Sequence, residues 1–339
     1  MPRSLSVAVL GATGAVGTEL LRVFESRKFP ARPLKLLASE RSAGTELTYR
    51  GAPICVEAAR ESSFGGIDLA FFSAGAAASE KFARIAIAAG AAVIDNSSAF
   101  RMDDGVPLVV PEINSDSIGP NDRLFAVPNC TAIVLCMALA PLRALGTIER
   151  VVAATYQSAS GGGAALLREL EDQTRGRLAG DRIEPRVAPH PYAFNLFSHT
   201  TPINEHGYNG EEWKVIQESK KILGMPDLRI GVTCVRVPVL RAHSVATTVE
   251  FADELPSEDS VRAALTAFPG VRVVDDRDAN RFPMPSDAEG QGDVLVGRIR
   301  RDVSHPSAIS LFACGDQLLK GAALNAVQIA EELLESGRL

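Results

Sequence analysis

The chain has 339 residues, of which 46% are hydrophobic and 22% charged, and its formal net charge at pH 7 is −6. This mild acidity, without a cluster of Lys and Arg, argues against nucleic acid as the main partner. Five scattered cysteines without a CxxC pair suggest neither a disulfide framework nor a zinc site. The length favours two domains, and the first apolar run is too short for a signal peptide or membrane span, so we expect a cytoplasmic protein.

Residues 1–129 alternate short apolar strands with helices, which predicts a parallel sheet covered on both faces. The predicted strands are Val7–Leu10, Leu34–Ala38, Leu69–Ser73, Ala92–Asp95 and Leu124–Val127. The last helix, Lys320–Leu334, has one apolar face, and we expect residues 320–339 to return and complete this domain. The pattern predicts an α/β Rossmann-like dinucleotide-binding domain.

A glycine turn follows the first strand. Gly11, Gly14 and Gly17 form a GxxGxxG pattern that opens a helix with apolar residues at helical spacing. Glycines let the backbone approach a pyrophosphate, and the helix N-terminus stabilises its charge. The pattern differs from the standard GxGxxG, and a tight turn without a ligand is the alternative.

The loop after the second strand bears on the choice of dinucleotide. Arg41 with Ser39 and Ser42 favours the 2′-phosphate of NADP, because arginine and hydroxyl groups bind phosphate. Glu40 keeps NAD open, since an acidic residue here would bind the ribose 2′-hydroxyl. A solvated charged loop without a ligand is the third interpretation.

Cys130 lies where a strand gives way to an apolar helix that we expect to begin near Ala132. The positive end of a helix favours the thiolate, which is the nucleophilic form of the side chain. A free cysteine more often only packs in a core. Its place after a dinucleotide-binding fold, with Gln157 and His243 further along the chain, favours a catalytic thiol.

Residues 130–319 have a different pattern, which predicts an α+β second domain. Two β-rich runs, Arg229–Val239 and Ser244–Phe251, accompany helices at Ala164–Thr174 and Glu211–Leu223. The segment Asp275–Gly292 is polar, and we expect it to be flexible.

Several long motifs follow one another along the chain. They are GATGAVG at Gly11–Gly17, the serine/arginine loop at Ser39–Ser42, DNSSAFRMD at Asp95–Asp103, VPEIN at Val110–Asn114, PNCT at Pro128–Thr131, YQSASGGG at Tyr156–Gly163, Ala193–Asn195, GYNGEEWK at Gly207–Lys214, RVPVLRAHS at Arg236–Ser244 and GDQLLKGAALNAVQIAE at Gly315–Glu331. Together they make the sequence similar to the aspartate-semialdehyde dehydrogenases over nearly its whole length.

The resemblance implies a reversible, NADP-dependent conversion of L-aspartyl 4-phosphate to L-aspartate 4-semialdehyde. Cys130 would displace phosphate to form a thioester, which NADPH would reduce to the aldehyde. The implied partners are the aldehyde or acyl phosphate, inorganic phosphate, and a second copy in a homodimer, with a tetramer as the alternative. The second domain would serve catalysis and dimerisation. The enzyme would act in the biosynthesis of diaminopimelate, lysine, methionine, threonine and isoleucine.

This reaction needs a group that manages protons, and we predict His243 for the role because imidazole titrates near the working pH. By resemblance Gln157 orients the acyl group; otherwise it is an ordinary amide at a strand end. Asn129 either supports the oxyanion or the substrate, or only shapes the turn. The remaining histidines are interpreted as packed or solvent-facing, and they are His190, His199, His206 and His305.

Charged side chains match the charged groups of the implied substrate. Arg236 suits a bidentate contact with the α-carboxylate. By resemblance Glu211 binds the ammonium group, whereas Lys214 and Arg101 bind phosphate. The alternatives are a surface ion pair between Glu211 and Lys214, which lie three residues apart at a helix start, and a surface loop charge for Arg101.

The resemblance also implies a set of cofactor-binding residues, and no metal ligand. The set is Gly11, Thr13, Gly14, Ala15, Val16, Ser39, Arg41, Ser42, Ser73, Gly75, Ser160, Gly161, Gly162 and Gln317. The glycine run 161–163 would let backbone approach the cofactor or thioester, or would form a flexible linker. Gln317 departs from the family, because many relatives have asparagine at this place near the nicotinamide amide.

Two other functions stay open at this point. An N-acetyl-glutamyl-phosphate reductase would use the same thioester chemistry, but the PNCT motif replaces the PGCY-like pattern expected there. Arg236 with Glu211 also suits a free amino acid better. A non-catalytic Rossmann-type binding protein is the other alternative, and the joint presence of Cys130, Gln157 and His243 argues against it.

Overall fold

The two parts of the chain form separate units in the computed structural model, which describes residues 4–339. The first unit ends at Pro128 and also takes in Ala322–Leu339, whereas the second unit is Asn129–Gly321. Within residues 4–339, none of the helices has the length and apolarity that a membrane span requires.

The first unit is built on a parallel sheet. Its strands are β1 (Leu5–Leu10), β2 (Ala31–Ala38), β3 (Glu46–Tyr49), β4 (Ala52–Cys55), β5 (Glu57–Ala58), β6 (Leu69–Phe72), β7 (Ala92–Asp95) and β8 (Leu124–Ala126). Six of them form one parallel sheet in the order β5-β2-β1-β6-β7-β8, and β3 pairs with β4 apart from it. The order reverses between β1 and β6, and dinucleotides bind at such a switch point in open parallel sheets.

Helices cover this sheet. They are α1 (Ala15–Ser26), α2 (Ala76–Ala88), α3 (Pro111–Asn114) and, at the end of the chain, a C-terminal helix (Leu324–Glu335). The C-terminal helix contacts α1 and α3, and the Arg27 guanidinium donates to both carboxylate oxygens of Glu331 at 2.8 and 2.6 Å. It begins at Leu324 rather than at the predicted Lys320, because one wider helical turn, Leu319–Ala323, precedes it.

The second unit is a mixed sheet with helices. Its strands are β9 (Ile148–Gln157), β10 (Phe197–Ser198), β11 (Arg229–Arg236), β12 (His243–Phe251), β13 (Val271–Val273), β14 (Val294–Arg301) and β15 (Ala308–Gly315). Its helices are α4 (Cys130–Leu139), α5 (Ala164–Ala179), α6 (Gly210–Leu223), α7 (Glu258–Ala267) and α8 (Pro285–Ala288). The strand order is β10-β11-β9-β12-β15-β14-β13, so β9 and β12 lie side by side in the sheet.

The strand ends in this sheet differ slightly from the predicted ones. β11 stops at Arg236 instead of Val239, because Pro238 has no N–H to donate to a neighbouring strand. β12 starts at His243, one residue before the predicted Ser244, and its first pair is His243 with Gly315. The predicted α+β character of this unit is confirmed.

The polar segment that we expected to be flexible has ordered contacts. It contains α8 and an isolated bridge between Asp276 and Arg281. The Asp275 carboxylate accepts the backbone N–H groups of Arg298 at 2.8 Å and Ile299 at 3.1 Å. These bonds hold the segment against β14.

Candidate active site

The thiol of Cys130 lies at the N-terminus of a buried helix. Cys130 is the first residue of α4 and is partly exposed, whereas every later residue of that helix is buried. The Asn129 side-chain oxygen accepts the backbone N–H groups of Thr131 at 2.9 Å and Ala132 at 3.3 Å. This cap starts the helix two residues earlier than predicted, and it places the thiol in the first turn, where the helix dipole favours the thiolate.

Three other cysteines lie in the protein interior, unlike the partly exposed Cys130. Cys136, Cys234 and Cys314 are fully buried, and burial raises the pKa of each thiol to about 12. A thiol with such a pKa is neutral and inert at working pH. Cys130 and the exposed Cys55 are therefore the accessible thiols of the described chain.

Two carboxylates of α6 hold Asn129. Its backbone N–H donates to Glu218 Oε2 at 2.5 Å, and its side-chain Nδ2 donates to Glu211 Oε1 at 2.9 Å. Glu211, Lys214 and Glu218 lie at positions i, i+3 and i+7, which share one face of a helix. Sequence reasoning missed Glu218, although its spacing of seven from Glu211 could have indicated it.

Gln157, the last residue of β9, connects α4 to α6. Its Nε2 donates to Thr131 Oγ1 at 2.8 Å and to Glu211 Oε1 at 3.0 Å. Its Oε1 is 2.8 Å from His199 Nε2. The sequence interpretation of His199 as a packed or solvent-facing ring gives it no part in the site, whereas in the structure the ring contacts a predicted site residue.

Glu211 is a largely buried carboxylate among polar groups. Burial alone would raise its pKa, but His199, the amide of Asn129, Lys214 and Gln157 oppose burial and hold the pKa below its usual value. Lys214 Nζ lies 3.7 Å from Glu211 Oε2, and the lysine side chain is 39% exposed against 12% for the glutamate. Glu211 therefore stays ionised at neutral pH although its carboxylate is largely removed from solvent. This differs from the surface ion pair that was the alternative for Glu211 and Lys214.

His243 begins β12 and is buried. Its Nδ1 accepts the backbone N–H of Ser158 at 3.1 Å and lies 3.0 Å from Ser158 Oγ. The neutral ring therefore carries its proton on Nε2, which is buried and has no hydrogen-bond partner within residues 4–339. Burial, followed by the charge of Arg236, lowers the pKa of His243 to about 3. The ring is uncharged at neutral pH.

Gly161 brings the backbone close to His243 and Arg236. A Cβ atom at position 161 would lie 2.8 Å from His243 Cε1, 2.9 Å from Nε2 and 3.2 Å from Arg236 Nη1. Arg236 is 8% exposed, and its Nη1 donates to the Ser158 carbonyl at 2.6 Å. The flexible-linker alternative for the run 161–163 is wrong, because Ala159–Gly162 forms a 3₁₀ turn leading to α5.

The amide of Gln317 bonds to the protein at both ends. Its Nε2 donates to Ser160 Oγ, and its Oε1 accepts the Ala242 backbone N–H at 2.8 Å. Ser160 Oγ in turn donates to the Leu240 carbonyl at 2.6 Å. The side chain at 317 thus links the turn that contains Ser160 to the segment before β12.

In the first unit, the glycine turn is closely packed. Gly11 has φ +90, and a Cβ there would lie 2.7 Å from the Ser73 carbonyl; one at Gly17 would lie 2.2 Å from the Gly11 carbonyl. Gly14 is the N-cap of α1 and offers no side-chain cap, so the N–H groups of Ala15 and Val16 open the helix without a capping side chain. An uncapped helix start at the switch point of a parallel sheet fits a pyrophosphate.

The remaining predicted cofactor residues of this unit lie in turns. Ser39, Arg41 and Ser42 lie at the 3₁₀ turn that follows β2, and Glu40 in the same turn pairs with Arg60 at 2.9 Å. Other predicted contacts lie between β1 and α1 or after β6, and they are Thr13, Ser73 and Gly75. Gly75 has φ +87 as the N-cap of α2, with no atom within 4 Å of a Cβ, so glycine serves backbone conformation there.

Arg101 is not a surface loop charge. It is 8% exposed, its Nε donates to the Val127 carbonyl at 2.9 Å, and its Nη2 donates to the Asn96 carbonyl at 3.0 Å. These bonds fix the guanidinium at the carboxyl ends of β7 and β8, where open parallel sheets bind ligands.

Comparison with known proteins finds semialdehyde dehydrogenases that are similar over the whole length of the chain. Residues 6–120 match the family model described as "Semialdehyde dehydrogenase, NAD binding domain", and residues 139–320 match its "dimerisation domain". The aspartate-semialdehyde dehydrogenase of Synechocystis sp. is 52% identical, with 100% of both chains covered, and that of Bacillus subtilis is 43% identical, with 98% of each covered. The chain belongs to the aspartate-semialdehyde dehydrogenase family. A crystal structure of aspartate semialdehyde dehydrogenase II from Vibrio cholerae, 41% identical, has a TM-score of 0.94 and covers 98% of this chain and 99% of its own.

Membership of the aspartate-semialdehyde dehydrogenase family confirms the predicted fold and enzyme class. The chain is an oxidoreductase with a dinucleotide-binding unit and a mixed-sheet unit that matches the dimerisation domain. A second Vibrio cholerae structure of the same identity and TM-score is described as complexed with ASA.

In this member of the family, the predicted residues of the second unit other than Cys130 and Gly162 form two groups. One group contains Asn129, Gln157, Glu211 and Lys214. The other contains Ser160, Gln317, His243, Arg236 and Gly161, linked through the turn at Ser158–Gly162. The predicted dinucleotide residues from Gly11 to Gly75, with Arg101, belong to the first unit.

Proposed function

We propose that this chain catalyses the NADP-dependent, reversible reductive dephosphorylation of L-aspartyl 4-phosphate to L-aspartate 4-semialdehyde. The observation that carries the proposal is the partly exposed Cys130 thiol in the first turn of a buried helix. The next residue, Thr131, accepts a hydrogen bond from the Gln157 amide. The full-length similarity to enzymes named for the aldehyde product supports the same substrate. We assign the dinucleotide-binding turn to the first unit, and catalysis and dimerisation to the second.

Cys130 carries the covalent step. Its thiolate attacks the acyl carbon of aspartyl phosphate, the carbon–oxygen bond to phosphate breaks, and phosphate leaves with the bonding electrons. The product is a thioester on Cys130. When bound, NADPH supplies the hydride that reduces an acyl group to an aldehyde. Breakage of the carbon–sulfur bond then returns the thiolate.

His243 stabilises the charge that the acyl oxygen gains. Its neutral ring holds a proton on Nε2, and that buried N–H has no hydrogen-bond partner within residues 4–339. An unpaired donor in a water-poor site can bind the developing oxyanion without first breaking another bond. Because Nε2 already carries the proton of the neutral ring, His243 acts in this account as a hydrogen-bond donor to that oxygen, and its acid/base role stays a prediction.

Two largely buried charges recognise a free amino acid. Arg236 offers a guanidinium for the α-carboxylate, and Glu211 stays ionised and available to an ammonium group. Gln157 and Asn129 bond to Glu211 and hold its orientation. An N-acetylated substrate has no ammonium group for Glu211, so it would lose this charge-assisted contact. This disfavours N-acetyl-glutamyl phosphate.

The assay that tests this function follows the absorbance of the reduced nicotinamide of NADPH. Phosphate-dependent reduction of NADP is measured with aspartate semialdehyde and N-acetylglutamate semialdehyde side by side. We expect turnover with the first aldehyde only. Turnover with N-acetylglutamate semialdehyde alone would support the rival reductase, and turnover with neither would support a non-catalytic binding protein.

We expect Arg236→Leu and Lys214→Leu to differ in the half-reaction that fails. Loss of Arg236 removes a charge-assisted pair with the carboxylate, which is present in every covalent state, and costs about 2–5 kcal/mol if desolvated. Lys214 is assigned to phosphate, which enters only at acyl transfer, so Lys214→Leu should chiefly raise the KM for phosphate. For Arg101 the phosphate role stays a prediction.

The measurement that separates these roles is the burst of NADPH formed from aldehyde and NADP without phosphate. Lys214→Leu should keep the burst, and Arg236→Leu should lose most of it at moderate aldehyde concentration. The assignments would be reversed if Lys214→Leu abolished the burst while Arg236→Leu preserved it.

We assign NADP as the preferred dinucleotide. Arg41 is exposed at the turn after β2 with Ser39 and Ser42, whereas the Glu40 carboxylate pairs with Arg60. We expect Arg41→Ala to lower the ratio of kcat/KM for NADP over NAD while kcat with saturating cofactor changes little. Equal efficiency of the unaltered protein with both dinucleotides would contradict the assignment.

Inorganic phosphate is the small-molecule partner that we propose beside the aldehyde or acyl phosphate.

We propose that the dimer forms on the open face of the mixed sheet. Val152 and Tyr156 of β9 are 39% and 41% exposed, and the Tyr156 ring lies 6.2 Å from that of Phe312 on β15. An exposed apolar sheet face of this kind suits burial against a second copy. Sedimentation equilibrium should give a dimer or a tetramer, and a stable monomer would contradict the proposal.

The location of the protein in the cytoplasm stays a prediction from the sequence.

A further inference from the structure

His199 lies beside Gln157 and near Arg236, which the proposed function uses, although no role has been assigned to it. It directly follows β10, the edge strand that pairs with β11 so that Phe197 lies opposite Arg236. Arg236 in turn lies opposite Gln157 in the pairing of β11 with β9. The pairing of β10, β11 and β9 therefore brings His199 close to the C-terminal end of β9, where its ring meets the Gln157 side chain at 2.8 Å.

The direction of this hydrogen bond is fixed by chemistry. An amide oxygen only accepts, so His199 Nε2 donates its proton to Gln157 Oε1. The amide nitrogen then faces the opposite way, toward Thr131 Oγ1 at 2.8 Å and Glu211 Oε1 at 3.0 Å. His199 therefore helps to decide which end of the Gln157 amide faces the first turn of α4, where Cys130 lies.

The charge state of His199 suits this contact. Burial, then the charges of Arg236 on β11 and Lys214 on α6, lower its pKa to about 4, against the opposing charges of Glu211 and Glu212 on α6. The ring is therefore neutral at working pH. A neutral donor can orient Gln157 without offering Glu211 a permanent cation that would compete with the substrate ammonium.

We propose that His199 is a positioning residue of the reaction, which acts by holding the Gln157 amide with its nitrogen toward Thr131 and Glu211. The proposal rests on the proposed function, because Gln157 orients the acyl group only if that reaction occurs. His199 itself touches neither Cys130 nor the reacting atoms in this account. Its effect must pass through Gln157.

The test uses three variants of the full-length protein. His199→Leu removes the ring donor and leaves Thr155 Oγ1, at 3.3 Å, as the other donor to Gln157 Oε1. His199→Gln keeps an N–H donor on a flexible side chain, and His305→Leu removes an exposed histidine in the turn between β14 and β15. We expect His199→Leu to lower kcat about tenfold, the cost of one hydrogen bond, with a small change in KM. His199→Gln should recover most of the rate, and His305→Leu should match the unaltered protein.

A double-mutant cycle separates positioning from a merely structural role. In a Gln157→Leu background, His199→Leu should lower kcat no further, because its partner is already absent. The pH profile of kcat should keep its shape in His199→Leu, since a neutral donor does not titrate in the working range. Independent, multiplying losses in the double variant, or failure of His199→Gln to restore any rate while folded by circular dichroism, would overturn the proposal. Absence of turnover by the unaltered protein would overturn the proposed function as well.

Discussion

Cys130→Ala should lower kcat by at least about 10,000-fold, the scale of loss when a covalent enzyme loses its nucleophile. Alanine cannot form the thioester. It is also the best helix former, and the Asn129 cap bonds to Thr131 and Ala132 rather than to the cysteine side chain, so α4 should keep its first turn. The dinucleotide turn belongs to the first unit, so the dissociation constant for NADP should change little.

The matched control is Cys55→Ala, because Cys55 is the exposed free thiol of the first unit. It should retain the kcat of the unaltered protein. Activity is followed by NADPH absorbance, and NADP binding by titration calorimetry. Substantial turnover by Cys130→Ala, or inactivation by Cys55→Ala alone, would contradict the assignment of Cys130 as the nucleophile.

His243→Asn should lower kcat by about 100- to 10,000-fold, the usual contribution of a positioned proton donor or acceptor. Asparagine is polar but cannot place an N–H where Nε2 lies, and the acyl oxygen would lose that donor. The KM for aspartate semialdehyde should change much less, since Arg236 and Glu211 are assigned to the carboxylate and ammonium. Pre-steady-state rates of the NADPH burst report the chemical step. A burst as fast as that of the unaltered protein would return His243 to a structural role.

Burial of His243 also predicts a pH effect with a definite sign. Its pKa is lowered from 6.5 to about 3 in the folded state, so protonation favours the unfolded chain. This cost is absent above pH 6.5, where both states are neutral, and grows as the pH falls toward 3. The stability of the unaltered protein should therefore fall relative to His243→Asn between neutral pH and pH about 4.5. The same difference in melting temperature between the two proteins at neutral pH and at pH about 4.5 would contradict this prediction.

The sequence predicted features that depend on local pattern. The glycine turn at Gly11–Gly17 follows a strand and opens a helix in the sequence, and it does so in the structure. Cys130 was expected at a strand-to-helix junction because apolar periodicity changes there. The start of α4 was missed by two residues, because the cap of Asn129 depends on side-chain geometry that periodicity does not reveal.

Contacts between distant segments could not be predicted in the same way. His199 reaches Gln157 only because the edge strand β10 pairs with β11 in one register, and nothing near residue 199 indicates that pairing. Burial of Arg101 depends on the ends of β7 and β8 meeting around it. Glu218 is the exception, since helical spacing from Glu211 indicates its face, although not its bond to Asn129.

The most direct measurement of the central claim is the mass of the Cys130 peptide after a single turnover without phosphate. The protein is mixed with aspartate semialdehyde and NADP, quenched in acid and digested, with NADPH measured in the same sample. We predict an aspartyl thioester on Cys130 in an amount equal to the NADPH formed, and its loss when phosphate is added before the quench. NADPH formed without an adduct on Cys130, or an adduct on another residue, would contradict the account.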